Sequence, residues 1–382
     1  MLESDFFNWK LNKKGYIMFS NFEKNLLHLP DAGTYNFYII IIFLILITIS
    51  VQKKTENSFF DVSQTIQVKG LAIFFVVLAH FWENIFDQTP PLILSRYSVS
   101  LFFILSGYAH GLLCETGRFD YKGFIQKKIF RIFIPYWICT ILFLVLDYYL
   151  LDRTHSMHDI FLTSSGINIH RGQTHLDRTR WFISLLLLWY FVFCSSRHFC
   201  PKKISLILYM VAFLLIVMRY LQIWHLGNVH ETLAFPVGYT IAQNRSWISK
   251  VFMNTSIRQK GIHCLILVSF CVGILCIKIT GLDNYFLFES LEKIFKLMVL
   301  SYGLLIGLSI NSILNYQSKV LFFMGQISYE LYILHFPFLY RYNPLKPSLI
   351  QDHAVIMFYV LLMILIVFSL VLKTLCPADR GS

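Results

Sequence analysis

Long apolar stretches with few charges recur from one end of the chain to the other, separated by short polar loops. A helix rises ~1.5 Å per residue, so about 20 apolar residues cross the ~30 Å hydrocarbon core of a bilayer. Backbone groups cannot stay unpaired in lipid, and long apolar runs therefore cross it as helices. The pattern predicts eleven spans, over residues 35–51, 66–86, 92–113, 129–150, 181–199, 204–223, 229–243, 261–280, 293–315, 319–340 and 353–376.

These spans predict an all-α fold, a polytopic transmembrane helical bundle of about eleven helices. The segment 229–243 carries the weakest signal, because it is short and contains Glu231, Pro236 and Gly238. A spanning helix and a re-entrant helix both fit this segment.

The composition agrees with a protein dissolved in lipid. The chain is 56% hydrophobic and only 14% charged, with a mean hydropathy of +0.60, whereas a soluble domain carries about 25% charged residues. The net charge of +12 comes from short basic blocks between apolar runs, which indicates topology signals and anionic headgroups and not nucleic-acid binding. The eight cysteines form no CxxC pair and no Cys/His metal spacing, so we predict buried small apolar residues and no metal site.

The distribution of lysine and arginine predicts the orientation in the membrane. The first span ends at Gln52-Lys53-Lys54 with no cleavage site behind it, and is expected to be a retained helix and not a signal peptide. Loops near 87–91, 224–228 and 281–292 lack lysine and arginine. We therefore expect the C-terminus in the cytoplasm and the N-terminus outside.

The longest polar segment, 151–180, is expected to face the outside, where it could bind an acidic or sugar-bearing polymer. Its histidines and arginines are His155, His158, His170, Arg171, His175, Arg178 and Arg180.

Ionisable residues inside membrane helices are energetically costly and mark candidate functional sites. Lys69 and His80 lie eleven residues apart on the second span, which is ~16 Å along a helix and nearly the same face. Glu83 follows His80 by three residues and is placed to orient or charge its ring. The alternative is a packed histidine that bonds a neighbouring carbonyl.

Two further segments carry hydroxyls and cations. Ser106, Gly107 and Tyr108 on the third span offer hydroxyls beside a close backbone approach, or a packing seam of small residues. Lys128 and Arg131 open the fourth span three residues apart, where they suit a phosphate-bearing ligand such as coenzyme A. Ordinary positive-inside anchoring explains the same pair.

The last polar segment lies in the tenth span, which reads Ser328-Tyr329-Glu330-Leu331-Tyr332-Ile333-Leu334-His335 and continues to Pro337. Glu330 and His335 are polar groups in an apolar span, and Pro337 favours a kink beside His335. Trp181-Phe182 begins the fifth span at the outer interface, where an aromatic residue is common.

Taken together, these segments resemble acyltransferase family 3, membrane proteins that O-acylate glycans and other extracytoplasmic acceptors. The resemblance rests on five segments in order: Lys69 with His80, Leu101 to Tyr108, Lys128 and Arg131 before Pro135, Trp181-Phe182, and Ser328 to His335. It covers residues from about 65 to 340. Lys69 and Lys128 stand where the family has arginine, which keeps the charge but loses bidentate geometry.

The resemblance implies a membrane O-acyltransferase that moves an acetyl group from cytoplasmic acetyl-CoA, or another acyl group from its acyl-CoA, to a hydroxyl of an extracytoplasmic glycan or lipid-linked saccharide. No bound cofactor is implied. His80 then corresponds to the essential histidine, as general base or transient acyl carrier, with Glu83, Glu330 and His335 as further catalytic candidates. The donor would contact Lys69, Lys128 and Arg131, together with Ser106, Gly107 and Tyr108. Residues 1–60 would form a tail and one extra helix, and residues 61–382 a ten-helix acyltransferase domain in the plasma membrane.

Two other classes remain open at the level of sequence. A secondary transporter or flippase also has many apolar helices with few ionisable groups, although the two halves of this chain show no internal symmetry. A non-catalytic assembly or sensor subunit is the third class, and the cations beside a buried histidine count against it. The sequence does not identify the acceptor, the length of the acyl chain or the oligomeric state.

Overall fold

Helices make up nearly all of the computed structural model, which describes residues 19–22, 26–54, 59–88, 95–115, 120–167, 177–223, 226–253, 257–282 and 285–376. The α-helices are α1 Ala32–Ile49, α2 Val62–Ile85, α3 Ser95–Glu115, α4 Tyr121–Lys128, α5 Ile134–Leu151, α6 Met157–Ser165, α7 Trp181–Phe199, α8 Ile204–Tyr220, α9 Val229–Gln243, α10 Arg245–Met253, α11 Ile257–Ile279, α12 Phe286–Leu314, α13 Lys319–Gln326, α14 Ser328–Tyr340, α15 Pro347–Asp352 and α16 Ala354–Leu375.

Short elements connect several of these helices. A π-helical turn, Ile129–Phe133, joins α4 to α5 in one continuous rod, and 3₁₀ turns precede α7 and α8 at Arg178–Arg180 and Pro201–Lys203. Two short strands, β1 Val51–Lys53 and β2 Tyr316–Ser318, pair antiparallel. The hydrophobic pattern did not predict these strands, because three residues are too few to show a period.

The prediction of a polytopic helical bundle is confirmed. Eight helical stretches among the described residues are long and apolar enough to cross a membrane. The other three predicted spans correspond to shorter or interrupted helices. Helix α9 coincides with the predicted 229–243, α11 carries the apolar stretch Leu265–Ile279, and the predicted span 319–340 is divided.

The division of that span lies at Ile327, between α13 and α14, where φ is −112° and ψ is 12°. The Ser318 side chain caps the start of α13 by accepting from the Leu321 N–H at 3.3 Å. The Gly325 carbonyl accepts from the Ile327 N–H at the end of α13 and from the Ser328 hydroxyl at 2.9 Å, so the break leaves it satisfied. A hydrophobic pattern reports the apolar face of a helix and does not show such a break.

The centre of the bundle is held together by helix pairs that meet backbone to backbone. A Cβ atom on Gly107 of α3 would lie 2.0 Å from the Phe235 carbonyl oxygen, and one on Gly238 of α9 would lie 2.0 Å from the Ile104 carbonyl oxygen. Small residues permit this approach in membranes, where packing replaces the hydrophobic effect between helices.

Helix α2 meets α13 in the same way. A Cβ atom on Gly70 would lie 2.0 Å from the Leu321 carbonyl oxygen, and one on Gly325 would lie 1.9 Å from that of Ile66. The start of α2 is fixed by a capping box of Asp61 and Gln64. The position of α2 therefore depends on both its cap and its close contact with α13.

Candidate active site

His80 lies on α2, five residues before that helix ends at Ile85. Its side chain is 25% exposed and lines a cavity of about 1060 Å³, which we call the histidine cavity. Helices α3, α7, α9, α11, α12 and α14 also contribute to its walls. Residues 86–88, 228 and 289 line it too, so the loops predicted to share one side of the membrane do lie together.

His335 of α14 packs against His80, with 5.1 Å between the two ring centroids. Its side chain is fully buried, and its Nδ1–H donates to the Tyr332 carbonyl oxygen at 2.6 Å. Within the described part of the chain, its Nε2 atom has no hydrogen-bond partner. The sequence identified both histidines separately, and the fold brings them into contact.

The ring of His80 is oriented by Asn84, one helical turn further along α2. The Asn84 amide donates to His80 Nδ1 at 3.1 Å and to the His80 carbonyl oxygen at 3.0 Å. We predicted that Glu83 orients or charges the ring. Its carboxylate lies 3.9 Å from Nδ1, beyond hydrogen-bond distance but near enough for an electrostatic interaction, so its catalytic role stays a prediction. Asn84 has an i+4 spacing that sequence reasoning could have noticed, since i and i+4 share a helix face.

These contacts assign complementary tautomers to the two rings. An amide N–H can only donate and a carbonyl can only accept. Neutral His80 therefore carries its proton on Nε2, whereas neutral His335 carries its proton on Nδ1 and has a lone pair on Nε2. The His80 ring thus packs against a ring whose Nε2 acceptor has no hydrogen-bond partner among the described residues.

The two tyrosines of the segment around His335 connect it to neighbouring elements. The Tyr332 hydroxyl donates to the Thr179 carbonyl oxygen at 2.9 Å, just before α7. Tyr332, Thr179 and Trp181 all line the histidine cavity. The Tyr329 hydroxyl donates to the Ile132 carbonyl oxygen at 2.7 Å, inside the π-helical turn that carries Arg131. The segment thus contacts both ends of the candidate site.

Lys69, Lys128 and Arg131 lie close enough for their charges to repel one another, and we call them the cation cluster. In the residues that the structure describes, none of the three has a carboxylate within 4.0 Å. Lys128 lies over the ring of Tyr190, with Nζ 3.9 Å from its centroid. Three cations without an acidic partner favour an anionic ligand.

The predicted hydroxyls near this cluster have different surroundings. Ser106 donates to the Tyr190 hydroxyl at 3.2 Å, and therefore lies beside Lys128. The Tyr108 hydroxyl donates to the Phe60 carbonyl oxygen at 2.9 Å, and the two rings stack with centroids 3.8 Å apart. Gly107 packs against α9. Gly107 and Tyr108 thus contact other parts of the protein, and their binding of a donor stays a prediction.

His110, which sequence reasoning missed, lies one turn beyond Ser106 and is 2% exposed. Its Nδ1–H donates to the Ser106 carbonyl oxygen at 2.6 Å, and its ring stacks on Tyr190 at 4.7 Å.

Glu330 is half-buried and lies near Lys373 of α16. Glu330 precedes His335 by five residues on α14, which is ~7.5 Å along the helix and more than one turn. Glu330 therefore does not lie beside the two histidine rings. Its catalytic role also stays a prediction.

The loop at 151–180, which the charge bias predicts to lie outside, has several basic side chains directed into the protein. His155 contacts the buried carboxylate of Asp147 at 2.7 Å, and the buried Arg180 donates to the Thr140 hydroxyl at 2.6 Å. These two side chains therefore contact the protein itself, contrary to the hypothesis that they bind a polymer. His158 and Arg178 are exposed, whereas the predicted positions His170, Arg171 and His175 lie outside the described residues.

Comparison with known proteins gives one family. The model of the acyltransferase family 3 domain, described as an acyltransferase domain, matches residues 64–374. No curated protein and no solved structure matches the chain. The matched range includes the histidine pair, the cation cluster and the walls of the histidine cavity other than Leu26.

Proposed function

Since the chain belongs to acyltransferase family 3, we propose that this multi-pass membrane acyltransferase is an O-acetyltransferase that moves an acetyl group from acetyl-CoA to a hydroxyl of an extracytoplasmic glycan. The observation that carries the proposal is the histidine pair, with His80 exposed in a large cavity and His335 buried behind it. We place the protein in the plasma membrane, with the donor entering from the cytoplasm.

The cation cluster supports the donor side of the proposal. Phosphates of coenzyme A are anionic and bind best to cations that have no carboxylate partner. Lys69 and His80 lie on one helix, eleven residues and ~16 Å apart. A nucleotide held at the cation cluster can therefore extend its pantetheine arm along α2 toward His80.

The charges of the histidine cavity bear on the acceptor. Each lysine that lines it has a glutamate within 4.0 Å. Lys296 lies 2.6 Å and Lys278 3.9 Å from Glu292, and Lys293 pairs with Glu289. A carboxylate accepts hydrogen bonds from hydroxyls, and no lysine there is left without a counter-ion to attract an acidic polymer. We therefore propose an uncharged, polyhydroxylated part of the glycan as the acceptor.

The reaction joins the acceptor oxygen to the acetyl carbonyl carbon and breaks the carbon–sulfur bond of the thioester. The acceptor hydroxyl replaces the Asn84 amide at Nδ1 of His80 and gives that atom its proton as the new bond forms. The imidazolium then returns a proton to the leaving thiolate, which departs as free coenzyme A. We further propose that, during the reaction, the Nε2–H of His80 donates to Nε2 of His335, which has no hydrogen-bond partner among the described residues, and so holds His80 in the tautomer that leaves Nδ1 basic.

The experiment that tests this function measures the release of free coenzyme A from acetyl-CoA, and the acetylation of surface glycans by mass spectrometry. His80→Ala removes the base, so we expect both signals to fall to background while the protein still inserts and purifies as the wild type does.

His158→Ala is the matched control, because its side chain is 78% exposed and lies outside the histidine cavity. This variant should keep wild-type activity. Undiminished acetylation by His80→Ala would refute the proposed mechanism. Movement of a glycan precursor across the membrane without thioester cleavage would instead favour a transporter.

A further inference from the structure

A segment outside the matched family domain lies against the histidine cavity. Residues 19–22 and 26–29 precede α1, and the family match begins only at residue 64. Phe22 is 1% exposed, and Leu27 and Leu29 are each 4% exposed. We call residues 19–29, so far as they are described, the N-terminal segment. The side chains of Phe22, Leu27 and Leu29 are therefore as buried as those of the core.

The first part of this segment is bonded to the chain just after α14, the helix that carries His335. Ser20 N–H donates to the Asn343 carbonyl oxygen at 2.8 Å, and Asn343 N–H donates back at 3.2 Å. Phe22 N–H donates to the Tyr340 carbonyl oxygen at 2.8 Å. These three backbone bonds fix the segment in place regardless of its side chains.

The second part is bonded to the end of α2, the helix that carries His80. Leu27 N–H donates to the Ile85 carbonyl oxygen at 2.8 Å, and Asp87 N–H donates to the Leu27 carbonyl oxygen at 3.1 Å. His28 lies 3.3 Å from the Asp87 carboxylate and 3.1 Å from the Gln88 amide. The N-terminal segment therefore links the ends of both histidine-bearing helices.

Leu26 is the residue of this segment that reaches the histidine cavity. It lines the cavity together with Phe86, Asp87 and Gln88 from the end of α2, and it is 44% exposed. The neighbouring Leu27 is buried, so the backbone next to Leu26 is fixed. The Leu26 side chain itself is partly exposed at the surface of the cavity. Leu26 and His80 thus line the same cavity, and the size of the side chain at residue 26 affects the space within it.

We propose that the N-terminal segment is a specificity element added to the acyltransferase domain, and that Leu26 limits the size of the acceptor that reaches His80. This inference rests on the proposed function only in naming the occupant of the cavity as the acceptor. Access to His80 can be measured without any acyl transfer.

The test places a thiol at the candidate base by His80→Cys and measures its labelling by maleimides of two sizes. N-ethylmaleimide is the small probe, and a maleimide linked to a polyethylene glycol chain is the large one. Mass spectrometry of the peptide that contains residue 80 gives each rate, so the native cysteines can stay. Leu26→Trp should slow the large probe about tenfold, which is ~1.4 kcal/mol in barrier, and change the small one less than about twofold. Leu26→Ala should accelerate the large probe.

Leu46→Trp is the matched control, because Leu46 of α1 is 41% exposed and does not line the cavity. It should change neither rate. Equal labelling by the large probe with Leu26, Leu26→Trp and Leu26→Ala would overturn the proposal, as would a parent His80→Cys protein that neither probe labels. If Leu26→Trp does not fold, Leu26→Ala decides alone. A wild-type chain without acyltransferase activity would refute the proposed function and leave these rates as they are.

Discussion

The tautomers of His80 and His335 are complementary because each ring has a partner that can play only one role. The Asn84 NH₂ group, which also donates to the His80 carbonyl oxygen, can only donate to the ring, and the Tyr332 carbonyl can only accept from His335. The buried Nε2 of His335 then lacks a partner in the described residues, and leaving a buried acceptor unsatisfied costs about 1–3 kcal/mol. The Nε2–H of His80 is the donor that would remove this cost.

This arrangement predicts that His335 positions His80 and does not itself touch the substrate. His335→Asn removes the acceptor at Nε2 while keeping a polar side chain, so we expect kcat to fall by about 10–100-fold. The KM for acetyl-CoA should stay within about twofold, because the cation cluster is unchanged.

The split between kcat and KM distinguishes positioning from a purely structural role. A variant of His335 that lost thermal stability but kept its kcat would show that the contact only packs the two helices. The melting temperature in detergent should therefore be measured beside the kinetics.

At the level of elements, the sequence predicted most helices but not their interruptions. The predicted span 129–150 begins earlier, at α4, and passes through a π-helical turn that contains Arg131. The span 319–340 divides at Ile327. π-helical turns are frequent at functional sites. Here the turn begins directly after Lys128, and the Tyr329 hydroxyl donates to the Ile132 carbonyl oxygen inside it. The π-helical turn is hydrogen-bonded to another helix, which its own segment does not contain, whereas the bonds beside Ile327 lie within its segment but leave the apolar pattern unchanged.

The contact of α3 with α9 predicts a strong effect of one methyl group. Gly238→Ala would place a Cβ atom 2.0 Å from the Ile104 carbonyl oxygen, a backbone atom that can move only with its helix. We expect a loss of about 1–3 kcal/mol in stability, seen as a lower melting temperature in detergent.

Gly303→Ala on α12 is the matched control, because nothing lies within 4 Å of the Cβ atom it would add. Alanine favours a helix over glycine by about 1 kcal/mol, so this variant should be as stable as the wild type or more so. Equal melting temperatures for the two variants would contradict the close contact.

At the scale of the whole molecule, the cation cluster and the histidine cavity lie toward opposite ends of α2. The proposed donor and acceptor sites are therefore at different ends of this helix. Lys69 lies near the start of that helix and His80 near its end. The loops poor in lysine and arginine surround the cavity end, which the charge bias assigns to the outside. An acyl donor from one compartment and an acceptor from the other would then meet at His80.

The same bias predicts opposite locations for the two termini. A tag at the N-terminus should be digested by protease added to intact cells, whereas a tag at the C-terminus should be digested only after the membrane is permeabilised. Digestion of the C-terminal tag in intact cells would reverse the orientation and with it the assignment of donor and acceptor sides.

The sequence by itself determined that the protein lies in a membrane, its all-α fold class, its approximate spans and its family. These are properties of local composition and of short motifs, because apolar runs of spanning length must become helices in lipid. The sequence also identified Lys69, His80 and His335 as candidate site residues, because a charged residue or a histidine stands out in an apolar span.

Only the tertiary structure decided which of those residues meet. His80 and His335 are distant in sequence, and their contact depends on the approach of α2, α13 and α14 that Gly70 and Gly325 permit. Asn84 replaced Glu83 as the partner of His80, and Arg180 turned inward to Thr140. Leu26 became part of the cavity through backbone bonds. Such contacts depend on where separate helices end and how closely they pack, and hydrophobic patterning along one helix carries no record of either.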